Sequence, residues 1–508
     1  MPLTPLKAAF ILALHAASSF ASPVPHPKPN PLSIPGSLIP DISRIIQVPG
    51  FNQVLNTLAP PIPILRVPTP PIQSPPFTAS SLKPKKLGYF WTGPGNIAYA
   101  DFLAVYSLDD DTFGTFITLV DVPTSGNEPH HLNVAKDGKT LVGTGLLSLL
   151  KLQGMTEFKI QFYDCFMTPE FSPLDVEYFF DISNPYRPKF RNSGRAILSS
   201  IGDEIVAKPD GGFFITHMGS AGGTNLGRLT EWNAQGNLIG EFPSALDIPG
   251  TLNIVKDQFS PHGLSIDFDK NIILTSDFVV PLSTLKPSLG IQKADTLRLW
   301  ALSSRTIIST ITIPGGGGIQ DVKFIPGNKD SAAIATAVDL GQVWIIYPFK
   351  KNADGTQGVA ELLYDLGPRA KGVVAIYSDF SANGRFLYLS LTTANHIAVL
   401  DLKDLSNPVR LDNPNEQQPV IGVHSLRVTP DQKNLVALGY FVQQGDIGLI
   451  NTPADYKVHY VDILPNGALS FNRTIPFQTE FANRGGGRPH FSVIADLTDP
   501  KNPKFNSY

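Results

Sequence analysis

Cysteine is almost missing from this chain: Cys165 is the only one among 508 residues. A lone thiol forms no intramolecular disulfide, builds no cysteine-based zinc site and runs no dithiol cycle. There is no surplus of positive charge, since 40 Lys+Arg stand against 43 Asp+Glu, so electrostatics give no reason to expect nucleic acid as a partner. Beyond the N-terminus no apolar run approaches the roughly 20 residues that cross a bilayer. Long helical patterns rich in Ala, Glu, Lys and Leu are also missing. What remains is Val, Ile, Thr and Phe, punctuated by 43 Gly and 46 Pro. That mixture favours short strands joined by turns. A chain of this length without disulfides needs rigidity from elsewhere, and a repeat architecture closed on itself supplies it.

The first residues, MPLTPLKAAFILALHAASSFA, have a basic start (Lys7), a short apolar run (Ala8–Ala17) and a small-residue cleavage pattern at Ser19-Phe20-Ala21. They predict a signal peptide over residues 1–21 and a secreted mature protein with no membrane partner once it is removed. Asn472 in Asn-Arg-Thr is an acceptor sequence for glycosylation, consistent with that route. Residues 22–86 form a Pro-rich leader, with 17 prolines between 22 and 84, extended apart from a short piece around Ile42–Leu58. The folded body is expected over 87–508.

In that body a strand–turn–strand unit recurs. Its turns fall at Asp137-Gly138, Asp210-Gly211, Asp269-Lys270, Gly327-Asn328, Asn383-Gly384, Asp431-Gln432 and Leu497–Asp499, at a mean spacing of about 60 residues. Several are the Asn-Gly and Asp-Gly pairs that tolerate positive φ in hairpins. Further strands (DVEYFFDIS, TLRLWAL, VWIIYPF, HIAVLDLKD, IGLINT) fill the gaps. Seven units of four strands predict an all-β, seven-bladed β-propeller.

Innermost strands of a propeller line a channel, so equivalent positions face one another. Counting seven residues back from each turn gives His130, Asp203, His262, Asp321, Ile376, His424 and His490. Imidazoles and carboxylates buried together in one ring need a cation to use their lone pairs and balance their charge. Imidazole-rich sites suit copper, iron or zinc rather than calcium or magnesium. The candidate ligands are His130, His262, His424 and His490, with His131 as an alternate that requires a bulge to turn inward. Asp203 and Asp321 are further ligands or partners of imidazole N–H groups, and Glu128, Asp203 and Asp321 are the candidate proton acceptors. His217, His396 and His459 fall outside this register and read as structural. Gly315–Gly318 and Gly485–Gly487 fit no phosphate-binding fingerprint and read as loops at the channel mouth, with Arg427, Arg488 and Trp344 as candidates for its entrance.

The stretch NEPHH, ending Glu128–His131, resembles the acidic-x-His-His motif of the selenium-binding protein and methanethiol oxidase family. KPDGGFFIT, IQDVKF and GRPHF fall where that family has comparable inner strands, and the similarity runs from about residue 87 to the end. It implies a seven-bladed propeller, a histidine-bound copper, and oxidation of small thiols by dioxygen. The departures are specific. No cysteine-containing segment follows the histidine pair, Asp203 stands where the family has histidine, and His262 and His424 occupy slots where histidine is not expected. The expected function is therefore a secreted copper oxidase acting on a small thiol or other small organic molecule. The alternatives are a four-histidine iron oxygenase of the carotenoid-cleaving type and a non-catalytic binding or scaffold propeller.

Overall fold

The computed structural model describes residues 72–147, 175–221, 223, 225–244, 258–281, 283, 291–442 and 452–506. The expected signal peptide, nearly all of the Pro-rich leader and Cys165 lie outside these residues. Among the described residues no helix is long and apolar enough to cross a membrane.

Seven antiparallel sheets follow one another along the chain, and together they make a seven-bladed β-propeller. Six blades have four strands each, in sequence order from the inside outward. Their inner strands are Pro129–Val134, Ser199–Ala207, Pro261–Asp267, Ile319–Phe324, Ile376–Phe380 and Leu426–Val428, numbered here as blades 1 to 6. Blade 7 takes its inner strand, Gly487–Asp496, from the C-terminal end. Its outer strands come from the start of the body: Lys86–Pro94, Phe102–Ser107 and Phe116–Asp121. The ring is thus closed by hydrogen bonds between distant parts of the chain. The turn at Leu497–Asp499 does not open a second blade strand. It leads to the short Lys504–Phe505, which flanks the end of the same inner strand.

Burial explains the sequence pattern. Inner blade strands pack against neighbouring blades on both faces, so they are buried along almost their whole length rather than at alternate positions, charged residues included. In blade 1 the second strand, TLVGTG, is buried throughout, whereas the outermost, KFRNSG, is partly exposed along its length. The junction between blades 7 and 1 is filled by Trp91, fully buried, with Tyr178 and Phe180 each 5.6 Å away between ring centres. The Trp91 indole N–H donates to the Thr144 carbonyl at 2.7 Å. Gly143 permits this approach, because a Cβ there would lie 3.0 Å from the indole nitrogen. Truncating a buried ring of this size costs on the order of 3–5 kcal/mol.

Candidate metal centre

The inner strands of blades 1 to 4 share one irregularity. Pro129 pairs with Gly145 and Leu132 with Gly143, leaving His130 and His131 together opposite Thr144. The same two-against-one bulge sets Asp203 and Glu204 opposite Thr216, His262 and Gly263 opposite Ser276, and Gln320 and Asp321 opposite Thr336. Blade 7 bulges at His490, which falls between the pairs Trp91–Phe491 and Thr92–Pro489. A bulge bends the strand and re-aims its side chains. In blade 1 it is how His131 joins His130 at the centre, and in blade 2 how Asp203 and Glu204 both face the histidines.

Each of these bulges faces a hydroxyl. Backbone N–H groups of His131, Gly263 and Asp321 donate to Thr144, Ser276 and Thr336 at 3.1, 3.2 and 3.0 Å. The hydroxyls of Thr216, Ser276 and Thr336 donate in turn to carbonyls of the next blade, at His262, Gln320 and Ile376. Bulge geometry and blade-to-blade attachment are therefore one hydrogen-bonded unit. At Gly263 a Cβ would meet the Ser276 hydroxyl at 2.6 Å and the Val322 nitrogen at 2.7 Å, so the residue beside His262 has room for glycine alone.

All five expected ligand histidines converge. From the His130 ring, centroid distances are 4.8 Å to His131, 6.4 Å to His262, 6.5 Å to His424 and 4.1 Å to His490. Ligating atoms of His130, His131, Asp203 and His262 all lie within 4.8 Å of one another. That is slightly wider than the span across one ion with metal–nitrogen bonds of about 2.0–2.1 Å. His424 and His490 stack nearly parallel beside this group, 5.0 Å apart at 6°. Asp203 places Oδ1 2.8 Å from Nε2 of His130 and 3.5 Å from Nε2 of His262.

The donors are buried and lack hydrogen-bond partners. Both ring nitrogens of His130, His131, His424 and His490, Nδ1 of His262 and both Asp203 oxygens make no aligned hydrogen bond. The 2.8 Å His130–Asp203 contact is close but misaligned. Each such orphaned atom costs on the order of 1–3 kcal/mol, and a shared metal ion would take up one lone pair from each imidazole together with the Asp203 charge. The donor set, imidazole with one carboxylate, fits a transition metal. Burial keeps the ligands in the right form: it pushes His130 down to about 3, against the opposing charge of Glu204, and holds His131, His424 and His490 well below the usual imidazole range. His262 is lowered for the same reason, with Asp203 opposing. Burial lifts the Asp203 carboxyl to about 7, with His262 and His217 pulling the other way.

Other expected residues stand elsewhere. In blade 4 the position equivalent to His130 is Gln320, not Asp321, because the bulge and the Thr336 contact fix Asp321 as the counterpart of His131. Gly327 is the residue that corresponds to Asp137, because Asn328 and Gly138 donate to Ile325 and Ala135 in the same way. Seven residues back from Gly327 is Gln320, and Asp321 results only when the count starts from Asn328. Asp321 accepts from the Lys323 ammonium at 2.8 and 2.6 Å and from the Ser378 hydroxyl at 2.5 Å. The Glu128 carboxylate accepts from the Tyr440 hydroxyl, and the Tyr440 ring lies 6.1 Å from His490. Arg427 does not line an entrance: it is buried, with its guanidinium 4.4 Å over the Phe491 ring. Trp344 lies on the third strand of blade 4 and donates to Gln342. His396 and His459 pair with Asp412 and Asp455 at 2.7 and 2.9 Å, and His217 lies 3.0 Å from Glu177.

Sequence reasoning missed Glu204 and Tyr377, which flank His131, and the apolar rings of Phe278 and Phe441, which lie 5.2 Å from His262 and 4.2 Å from His424. One signal was available: a Ser or Thr recurs at the same place in the second strands TLVGTG, FFITHMGS, IILTSD and AIATA.

No protein-family model matches the chain, and no curated protein does. Among solved structures it is similar to a hypothetical selenium-binding protein from Sulfolobus tokodaii, with TM-score 0.57 and 17% identity over 81% of this chain and 94% of that one. It is also similar to the periplasmic gluconolactonase of Pseudomonas aeruginosa, with TM-score 0.47 and 12% identity over 83% of this chain and 99% of that one. At such identities the likeness is one of fold.

Proposed function

We propose that this chain is a secreted, metal-dependent oxidase, with copper as its metal, dioxygen as its acceptor and a small thiol or other small organic molecule as its substrate. The observation that carries the reading is the buried group of His130, His131, Asp203 and His262, whose unpartnered ligating atoms lie within 4.8 Å of one another. His424 and His490 stand close enough to complete or adjust the set. The resemblance of the NEPHH segment to the selenium-binding protein and methanethiol oxidase family supports copper. A copper held by these residues would supply one-electron chemistry with dioxygen.

The chain's own residues do the rest. Their near-complete burial excludes bulk water, and Phe278 and Phe441 present apolar surface beside His262 and His424. Asp203 is the proton acceptor of choice on geometry, since its Oδ1 lies 2.8 Å from Nε2 of His130 and 3.5 Å from Nε2 of His262, inside the donor group. Asp321 is held by Lys323, and Glu128 by Tyr440, which makes both supporting groups. In the overall balance two electrons and two protons leave the substrate, and dioxygen takes up both as hydrogen peroxide.

The test is a thiol-oxidation assay on copper-loaded protein, following peroxide release and dioxygen uptake together. Peroxide formed in step with thiol loss supports the reading. Copper-loaded protein that consumes neither thiol nor dioxygen overturns it. Iron is the second reading, favoured by the fact that His130, His262, His424 and His490 come from four different blades and converge on one centre. Iron at one per chain with no copper would select it.

A further inference from the structure

We propose that Glu204, fixed by Tyr377 and Arg427, is a positioning residue for His131 and sets which ring nitrogen that histidine presents to a bound metal. The inference rests on the metal-centre reading above.

The His131 ring is confined on three sides. Phe491 stacks on its face at 4.4 Å and 24°, and Tyr377 meets it edge-on at 5.6 Å and 78°. At its Nδ1 stands Glu204, with Oε2 3.4 Å away but not aligned for a hydrogen bond. That same oxygen accepts from the Tyr377 hydroxyl at 2.7 Å. Arg427 donates to the Tyr377 oxygen at 3.3 Å, lies 4.4 Å over the Phe491 ring, and brings a second nitrogen to 3.9 Å from the other Glu204 oxygen. The aromatic walls and the carboxylate are thus braced by one guanidinium.

A neutral imidazole carries a single N–H. A fixed carboxylate at Nδ1 favours the proton there and leaves the Nε2 lone pair for a metal. The bulge in blade 2 divides the labour between neighbours: Asp203 turns to His130 and His262, and Glu204 to His131.

The experiment is a competitive copper(II) titration of metal-free protein, with electron paramagnetic resonance of each copper-loaded form. The variants are Glu204→Gln, Tyr377→Phe, His131→Ala and the double variant His131→Ala/Glu204→Gln, each checked for folding by thermal unfolding. Glu204→Gln is expected to weaken copper binding about 10–100-fold and to shift the copper hyperfine splitting. Tyr377→Phe, which keeps the ring shape and serves alone if Glu204→Gln does not fold, shifts both in the same direction by less. The double variant is expected to bind no more weakly than His131→Ala, because Glu204 acts through His131. Unchanged affinity and spectrum in Glu204→Gln and Tyr377→Phe overturn the proposal, as does a full additive loss in the double variant. Wild-type protein that binds no copper(II) overturns the metal-centre reading itself, and this inference with it.

Discussion

His130 and Asp203 stand on the inner strands of adjacent blades with Nε2 and Oδ1 2.8 Å apart, both buried and neither in an aligned hydrogen bond. A pair content with itself would turn into alignment. This pair leaves both partners open toward His131 and His262, and the predictions below follow from that geometry.

Asp203 and Asp321 should respond differently to the same substitution. Asp203→Asn is expected to lower turnover by about 10²–10⁴-fold, the usual worth of a proton acceptor, with little change in urea unfolding. Asp321→Asn strips Lys323 of its buried partner and is expected to destabilise by about 3–5 kcal/mol. If Asp203→Asn keeps full turnover, the proton-accepting role is lost.

The tight donor group and the stacked pair should separate in metal retention. His262→Ala removes a member of the four-donor group, so affinity in a chelator competition should fall at least tenfold further than in His424→Ala. Equal losses would instead indicate that all the imidazoles ligate alike.

Metal-free protein should lose stability on mild acidification. His130, His131, His262, His424 and His490 all have folded pKa values below the free imidazole's 6.5, with His130 at about 3. Below pH 6.5 the unfolded chain takes up protons that the folded one refuses, so stability present above 6.5 falls as pH drops toward 3. Asp203, raised to about 7, and the raised Glu177 and Asp277 work the other way, but His217, lowered to about 4, joins the imidazoles, which outnumber them. Urea midpoints measured between pH 7.5 and 5 should decrease; a flat or rising series contradicts the burial of neutral imidazoles.

Thr216 joins blade 2 to blade 3 through the His262 carbonyl. Thr216→Val keeps the shape and deletes that donor, leaving a buried carbonyl unpaired. Stability should drop by about 1–3 kcal/mol, and metal affinity should fall as well, because His262 loses its anchor. A stability loss with unchanged metal affinity would show that the hydroxyl serves the blade junction alone.

Much of the architecture was legible because it is written in local chemistry. Asp137-Gly138 and Asn383-Gly384 announce turns, and Val, Ile and Phe runs between them announce strands. The ring of His130, His262, His424 and His490 followed from counting, since equivalent inner positions must face one another. Counting failed where backbone hydrogen bonding overrides it. A bulge is a pairing pattern between strands, so the inward turn of His131 and the pairing of Glu204 with it could not be read from spacing. Counting from Asn328 instead of Gly327, the residue that takes the place of Asp137, was enough to put Asp321 where Gln320 belongs. Closure of blade 7 by Lys86–Pro94 depends on contacts some 400 residues apart, which no local signal encodes.

The central claim is that the buried imidazoles hold a metal. Elemental analysis of protein purified without added metal tests it most directly, run on wild type beside His130→Ala and His262→Ala. The account predicts close to one transition-metal ion per wild-type chain and a large loss in both variants. Wild-type protein free of stoichiometric metal, or variants that retain it in full, would contradict it.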